Sequence, residues 1–353
     1  MSHAMLHGYV LAYVFWVCLS LGCFGFLLLQ NTVRGRWGLP LLRTFEAGAR
    51  TLPLMAVLFL PFLVYMRDIY SWARPETVAA DPVVAHKAIY LNPAFFTLRA
   101  AAFFFVWILF TWLLSSWSRR QDRTGDPALE QKRVNLAAPG LVLFFLTVTF
   151  AFTDWVMSID PHWVSTIYGV WFAAGMGLAA LTFAIVLLTG SRDPQIEKLL
   201  TPNLLRDLGN LLLVLCMFWA YISLSQFLII WSANLPEEIT FYKNRTAPGW
   251  SEMGTLILIG QFFLPFLVLL ATRPKKSPRS LRAIALWLLA VRLLDVYWVV
   301  MPTMRASIAP TAFDVVAFVG LGVLWIAWFR WQLASAERLP RYDARLREVA
   351  DHA

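Results

Sequence analysis

AFTDWVMSIDPHWVSTIYG, residues 151–169, joins two long apolar runs and carries Asp154, Asp160 and His162 but no Lys or Arg. An acidic, aromatic link without a basic residue, set between two stretches that could each cross lipid as a helix, reads as an outward-facing turn of a membrane protein. That reading requires the other links to alternate in charge along the chain.

Composition agrees. The 353 residues are 59% hydrophobic and 14% charged, and mean hydropathy is +0.63, whereas a soluble domain carries roughly a quarter charged residues. Such a chain hides its surface in lipid. A span needs about 20 apolar residues, and nine runs qualify: about 8–29, 50–66, 95–117, 139–154, 165–189, 208–231, 253–271, 282–300 and 312–330. Lipid offers no partner for backbone polar groups, so each run is a helix. The expected fold is an all-α polytopic membrane protein, with its fourth span the shortest and ending inside the opening stretch.

Basic residues then set direction. One set of alternate links and span ends holds 22 of them, including Arg34, Arg119, Arg206, Arg273 and Arg330. The other holds seven: Arg67, Arg74, Lys87, Arg99, Lys243, Arg245 and Arg305. The positive-inside rule places the N-terminus outside and the C-terminus in the cytoplasm, and nine spans require the two ends on opposite sides. Residues 1–333 form the transmembrane domain, and 334–353 (ASAERLPRYDARLREVADHA) a cytoplasmic tail. The net charge of +9 thus reports topology, not nucleic-acid binding.

Several chemistries lack their residues. Cys18, Cys23 and Cys216 sit in apolar runs without C-x-x-C or C-x-x-C-H spacing, which argues against covalent haem and cysteine-held clusters on this chain. His3, His7, His86, His162 and His352 fall in tails, links or span ends, so no imidazole pair is placed to hold a haem between helices. The first run has no basic n-region and no A-x-A site, unlike a signal peptide. No P-loop motif occurs in the inner links.

Charges inside spans carry the most information. Arg292 and Asp295 in WLLAVRLLDVYWVV (287–300) share a helix face at i, i+3. Each costs about 2.5–3.5 kcal/mol at mid-span, so they pair or line a polar cavity. Two readings stand: a structural ion pair, or part of a proton or ion pathway. Asp154, Asp160, Glu252 and Asp314 lie nearer the outer face, and Glu46 with Arg50 at i, i+4 nearer the inner one. Partly desolvated carboxylates beside aromatics are suited to proton exchange. Tyr221, Ser225 and Gln226 give the sixth span a polar side, with Ser223 pointing elsewhere, and Pro53, Pro61 and Pro265 interrupt spans. Trp155, Trp163, Trp231 and Trp250 fit an interfacial belt.

Five ordered stretches together carry a resemblance: RTFEAGARTLPLMAVLFLPFLVYMRDIYSWA (43–73), FTDWVMSIDPHWVSTIYG (152–169), SQFLIIWSANLPEEITFYKNR (225–245), RLLDVYWVVMP (292–302) and LPRYDARLREV (339–349). The chain resembles the polysulfide-reductase-like (NrfD-like) membrane subunits, and among them the F subunit of bacterial alternative complex III. The resemblance implies a non-autonomous subunit of a quinol:cytochrome c (or other acceptor) oxidoreductase in the bacterial inner membrane. It implies as partners a sister NrfD-like subunit bearing the better-supported quinol pocket, an iron–sulfur protein and multihaem cytochromes c. Haem c and iron–sulfur clusters then belong to partners, with no redox centre on this chain. It also implies two four-helix bundles, spans one to four and five to eight, with the ninth outside. By motif, Asp154, Asp160 and His162 match the outer acidic link, Glu46 and Arg50 an E-x-x-x-R entry to the second span, and Arg292 and Asp295 the eighth-span pair. The expected proton path runs from Glu46 toward Arg292–Asp295 and out by Asp154, Asp160 and Asp314. One departure stands out: family members have a further apolar helix before the one that begins here near Gly8. The alternative function is a stand-alone ion-coupled secondary transporter, which also uses intramembrane charges and broken helices.

Overall fold

A computed structural model describes residues 2–340 and 342–343; most of the 339–349 motif and of the expected tail lies outside them. Among the described residues there are helices and no strands, and nine helical segments are long and apolar enough to span a bilayer. We label them α1 (His3–Val33), α2 (Leu42–Val64), α3 (Pro93–Thr124), α4 (Ala128–Ile159), α5 (Tyr168–Thr189), α6 (Pro202–Ala233), α7 (Trp250–Leu270), α8 (Pro278–Met304) and α9 (Ala312–Ala334). The protein is an all-α polytopic membrane protein, as its composition requires.

Local chemistry fixes the helix ends. α3, α6 and α8 each begin with a polar cap followed by proline. The side chains of Asn92, Thr201 and Ser277 accept from the backbone N–H groups of Phe95, Leu204 and Ser280. Proline at the first helical position gives up an N–H that had no partner there anyway. α9 opens with a capping box, Thr311 Oγ1 accepting from Asp314 N and Asp314 Oδ2 from Thr311 N. The fourth span differs from expectation: it is not short, because its helix already begins at Ala128 and carries Pro139 in its interior. The polar turns before residue 139 are helix protruding beyond the apolar window, which hydropathy alone does not register.

α2 is broken into Leu42–Ala49, Leu52–Val57 and Leu60–Val64 around Pro53 and Pro61. Neighbouring helices supply donors to its carbonyls, as a membrane interior demands. Tyr13 Oη donates to Met55 O (3.0 Å), Tyr9 Oη to Leu58 O (2.6 Å) and Trp328 Nε1 to Arg50 O (3.0 Å).

Packing follows two closed rings. α1 packs on α2 and α4, and α3 on α4 and the middle of α2; α5 packs on α6 and α8, and α7 on both α6 and α8. α1–α4 and α5–α8 are thus two four-helix bundles, with α9 lying against α1 and α2 outside both rings. The seam joins α1 to α5 and α4 to α5. Helix α1 lies innermost: 94% of its most apolar window is buried inside the protein, against 28% for α6, α7 and α9. An all-round apolar helix needs such a place.

At the seam α1 and α5 approach so closely that a Cβ on Gly22 would sit 2.1 Å from Met176 O. Small residues at such crossings let backbones meet. Gly22→Ala is expected to cost about 1–3 kcal/mol through overpacking, read as a lowered unfolding midpoint in detergent. Gly320→Ala, with nothing within 4 Å of its Cβ position, is the control and should leave the midpoint unchanged or raise it.

Candidate functional site: a chamber beside Asp295 in the second bundle

All four helices of the second bundle build the surroundings of one carboxylate. Arg292 and Asp295 on α8 are buried (3% and 1% exposed) and form an i, i+3 ion pair through Arg292 Nη1 and Asp295 Oδ2. The same Oδ2 accepts from Trp219 Nε1 of α6 (3.1 Å) and from Gln261 Nε2 of α7 (3.2 Å). Gln261 lies in a π-helical turn, Leu258–Phe263, just before Pro265; such turns recur at functional sites. α5 contributes by omission. A Cβ at Gly175 would fall 2.2 Å from the Arg292 guanidinium, so glycine leaves the room the cation occupies.

Asp295 Oδ1, Arg292 Nε and Gln261 Oε1 are buried with no protein partner among the described residues. Asp295 lines a cavity of about 450 Å³ together with Trp171, Trp219, Ser223, Tyr242, Arg245 and Trp298. Buried polar atoms need hydrogen bonds, and this cavity, mostly apolar in its lining but with Asp295, Ser223 and Arg245 in its wall, has room for water beside Asp295.

Arg245 is the residue that sequence reading missed. It ends the short helix Pro236–Arg245, between α6 and α7, and is only 1% exposed. Pro302 inside α8 has no N–H for the carbonyl of Trp298. Arg245 Nε donates there instead (3.1 Å), and Nη2 donates to Val299 O. Its guanidinium lies over the Phe241 ring at 3.4 Å. Burial pulls Arg245 down to about 9, opposed by Tyr168, Tyr242 and Asp160. Burial likewise pushes the Tyr242 phenol up, with Arg245 opposing.

Arg245 also borders a second, small cleft with Asp160, Trp163, Tyr168 and Phe241. One side chain therefore separates the acidic link of residues 151–169 from the Asp295 chamber. The available signal was a basic residue in a link set that holds only seven of them, four positions after Phe241 and three after Tyr242.

The remaining sequence candidates fall in separate clusters. Asp154 is not open to the outside: it is wholly buried and holds Arg99 of α3 through Nε (2.6 Å) and Nη2 (3.1 Å). Arg99 in turn stacks on Tyr90 and Phe95. Asp314 pairs with Arg305 (2.6 Å), whose Nη2 also donates to Tyr297 Oη. Glu46 accepts from Arg43 Nη1 (2.6 Å), not from the Arg50 side chain; Arg43 also reaches Ser118 and Asp122. Arg50 Nη1 donates to Gln332 Oε1 on α9 (3.2 Å). His162 Nε2 faces Asp81 at 2.9 Å in a half-exposed contact, and its backbone N–H donates to Asp160 Oδ1. Among the described residues no side-chain hydrogen bond or ion pair links the Glu46, Asp154, Asp295 and Asp314 clusters to one another.

Two further expectations are corrected. Ser223, not Tyr221, faces the chamber, while Tyr221 is 66% exposed; Trp219 and Ser223 at i, i+4 define the inward face. Trp155, Trp163 and Trp250 are buried against other aromatics, and of the four named only Trp231 is exposed. Among the described residues no group of three or more His, Cys, Asp or Glu side chains is placed to hold a metal ion. Compared with known proteins, the sequence matches no protein-family model and no curated protein.

Proposed function

We propose that this chain is a membrane subunit of an alternative-complex-III-type quinol oxidoreductase and that its second bundle handles protons for the assembly. The observation that carries the proton role is the Asp295 carboxylate: buried, held at one oxygen by three donors and placed in the wall of a chamber. An ionisable group kept in lipid at such cost is a functional site by default. The partner role rests on the ordered motifs and on a two-bundle fold with a flanking ninth helix, which agrees with the plan those motifs imply.

In this reading quinol is oxidised on the sister subunit, and electrons leave by an iron–sulfur protein and multihaem cytochromes c. This chain holds the assembly together and moves protons. Asp295 exchanges a proton with water in the chamber, and Arg292 fixes its position and offsets its charge. Arg245 and Asp160 form the way out through the acidic link, with Asp154 and Asp314 in structural ion pairs at its flanks. The N-terminal face is then the outer side of a bacterial inner membrane, and the face carrying the basic links the cytoplasmic side.

Broken helices and buried charge also suit a stand-alone transporter. Such proteins bind substrate between repeats, however, and here α1 and α5 meet tightly at the seam between the bundles, where Gly22 lies against Met176 O. Extraction of the tagged chain from its native membranes in mild detergent tests the assignment. Haem absorbance and iron–sulfur protein are expected to accompany it, whereas a chain that emerges alone and colourless would sink the assignment.

A further inference from the structure

A second polar site lies far from the chamber, on the face opposite the N-terminus. Arg50 of α2 and Arg119 of α3 line a groove of about 380 Å³ with Trp112, Trp328, Trp331 and Gln332. Their partners among the described residues are neutral: Arg50 Nη1 donates to Gln332 Oε1 (3.2 Å) and Arg119 Nη2 to Gln332 O (3.3 Å). Arg119 Nε is buried with no protein partner among the described residues. Neither arginine forms an ion pair within those residues, although Arg34, Arg43, Arg99, Arg292 and Arg305 all do.

Two guanidiniums that form no ion pair among the described residues are a matched receptor for a phosphodiester, since each presents a planar fork of donors. The groove's other wall decides which phosphodiester. Trp112 and Trp331 are 57% and 61% exposed, on surfaces that face lipid in a spanning protein. Arg119 and Gln332 lie within the last two turns of α3 and α9, at headgroup depth. Arg120, Arg123 and Arg330 are exposed on the same face and raise the local concentration of anions.

We infer that the Arg50–Arg119 groove binds an anionic phospholipid, with the phosphate between the two guanidiniums and an acyl chain along the tryptophans. The site is independent of the proton role. It ties α9, which stands outside both bundles, to α2 and α3 through a shared lipid. Basic pockets between spanning helices on the positive face take such headgroups.

The test uses the full-length chain in detergent, titrated separately with phosphatidylglycerol, phosphatidylcholine and inorganic phosphate. Phosphatidylglycerol is expected to raise the unfolding midpoint and to half-saturate at roughly tenfold lower mole fraction than phosphatidylcholine, as two arginines at headgroup depth provide. Arg50→Gln with Arg119→Gln should erase that preference; Arg273→Gln with Arg279→Gln, exposed at the α7–α8 link on the same membrane face and away from the groove, should keep it. Equal effects of the two lipids on the native chain overturn the inference, as does a preference that survives the Arg50 and Arg119 changes. A phosphate effect equal to that of phosphatidylglycerol assigns the groove to soluble anions and overturns the lipid reading. If the double glutamine chain does not fold, quenching of native tryptophan emission by brominated phosphatidylglycerol and brominated phosphatidylcholine decides the same point, equal quenching being the adverse result.

Discussion

Asp295→Asn is expected, on the proposed function, to lower proton release coupled to quinol oxidation by roughly tenfold or more in the assembled complex, the scale of losing a positioned proton-transfer group. Asparagine keeps the size of the side chain and an oxygen for Trp219 Nε1 and Gln261 Nε2, so the bundle has no steric reason to change. What it removes is the exchangeable proton and the charge opposite Arg292. The second loss needs its own control, because a buried cation left unpaired is destabilising in itself. Arg292→Gln combined with Asp295→Asn removes both charges. Assembly and unfolding midpoint should then recover while proton release stays low. Recovery of proton release in that double variant would make the pair a structural clasp and nothing more.

Asp154→Ala should show the largest loss of stability, about 3–5 kcal/mol, the range for breaking one half of a buried ion pair. Arg99 would keep its stacking on Tyr90 and Phe95 and its bond to Tyr90 O (2.9 Å), but both donors aimed at Asp154 would be left without an acceptor. The unfolding midpoint and the yield of folded chain in detergent report the effect. Arg99→Met with Asp154→Leu, which replaces the pair by apolar volume, should recover most of it, since such swaps are often neutral or stabilising. A single Asp154→Ala chain as stable as the native one would mean that the pair contributes nothing. The two carboxylates thus separate by readout, Asp154 by stability and Asp295 by proton transfer.

Hydropathy made the fold legible because lipid leaves a chain little choice: nine apolar runs became nine spanning helices. The misjudged span was α4, whose first turns are polar helix and so invisible to an apolar window. The Arg292–Asp295 pair was legible for a related reason, since two charges at i, i+3 in an apolar run must meet. Partners drawn from distant helices were not. Asp154 and Arg99 lie 55 positions apart, and each alone reads as an ordinary residue at a span end. Glu46 drew attention to Arg50 by i, i+4 spacing, yet Arg43 at i−3 is its partner, because Ser118 and Asp122 of α3 hold the Arg43 guanidinium on that side. Arg245 escaped notice since its role depends on carbonyls left open by Pro302 of another helix. Likewise three tryptophans assigned to the lipid boundary proved to be buried packing, a distinction composition does not carry.

Redox-difference infrared spectroscopy of the proposed assembly, in H₂O and D₂O, reads the carboxylic acid C=O stretch of Asp295 during turnover and so decides whether that group exchanges protons. Proton exchange at Asp295 predicts a carboxyl band that appears on quinol oxidation, shifts on deuteration and is absent in Asp295→Asn. A difference spectrum identical in native and Asp295→Asn complexes, at equal quinol turnover, would contradict it.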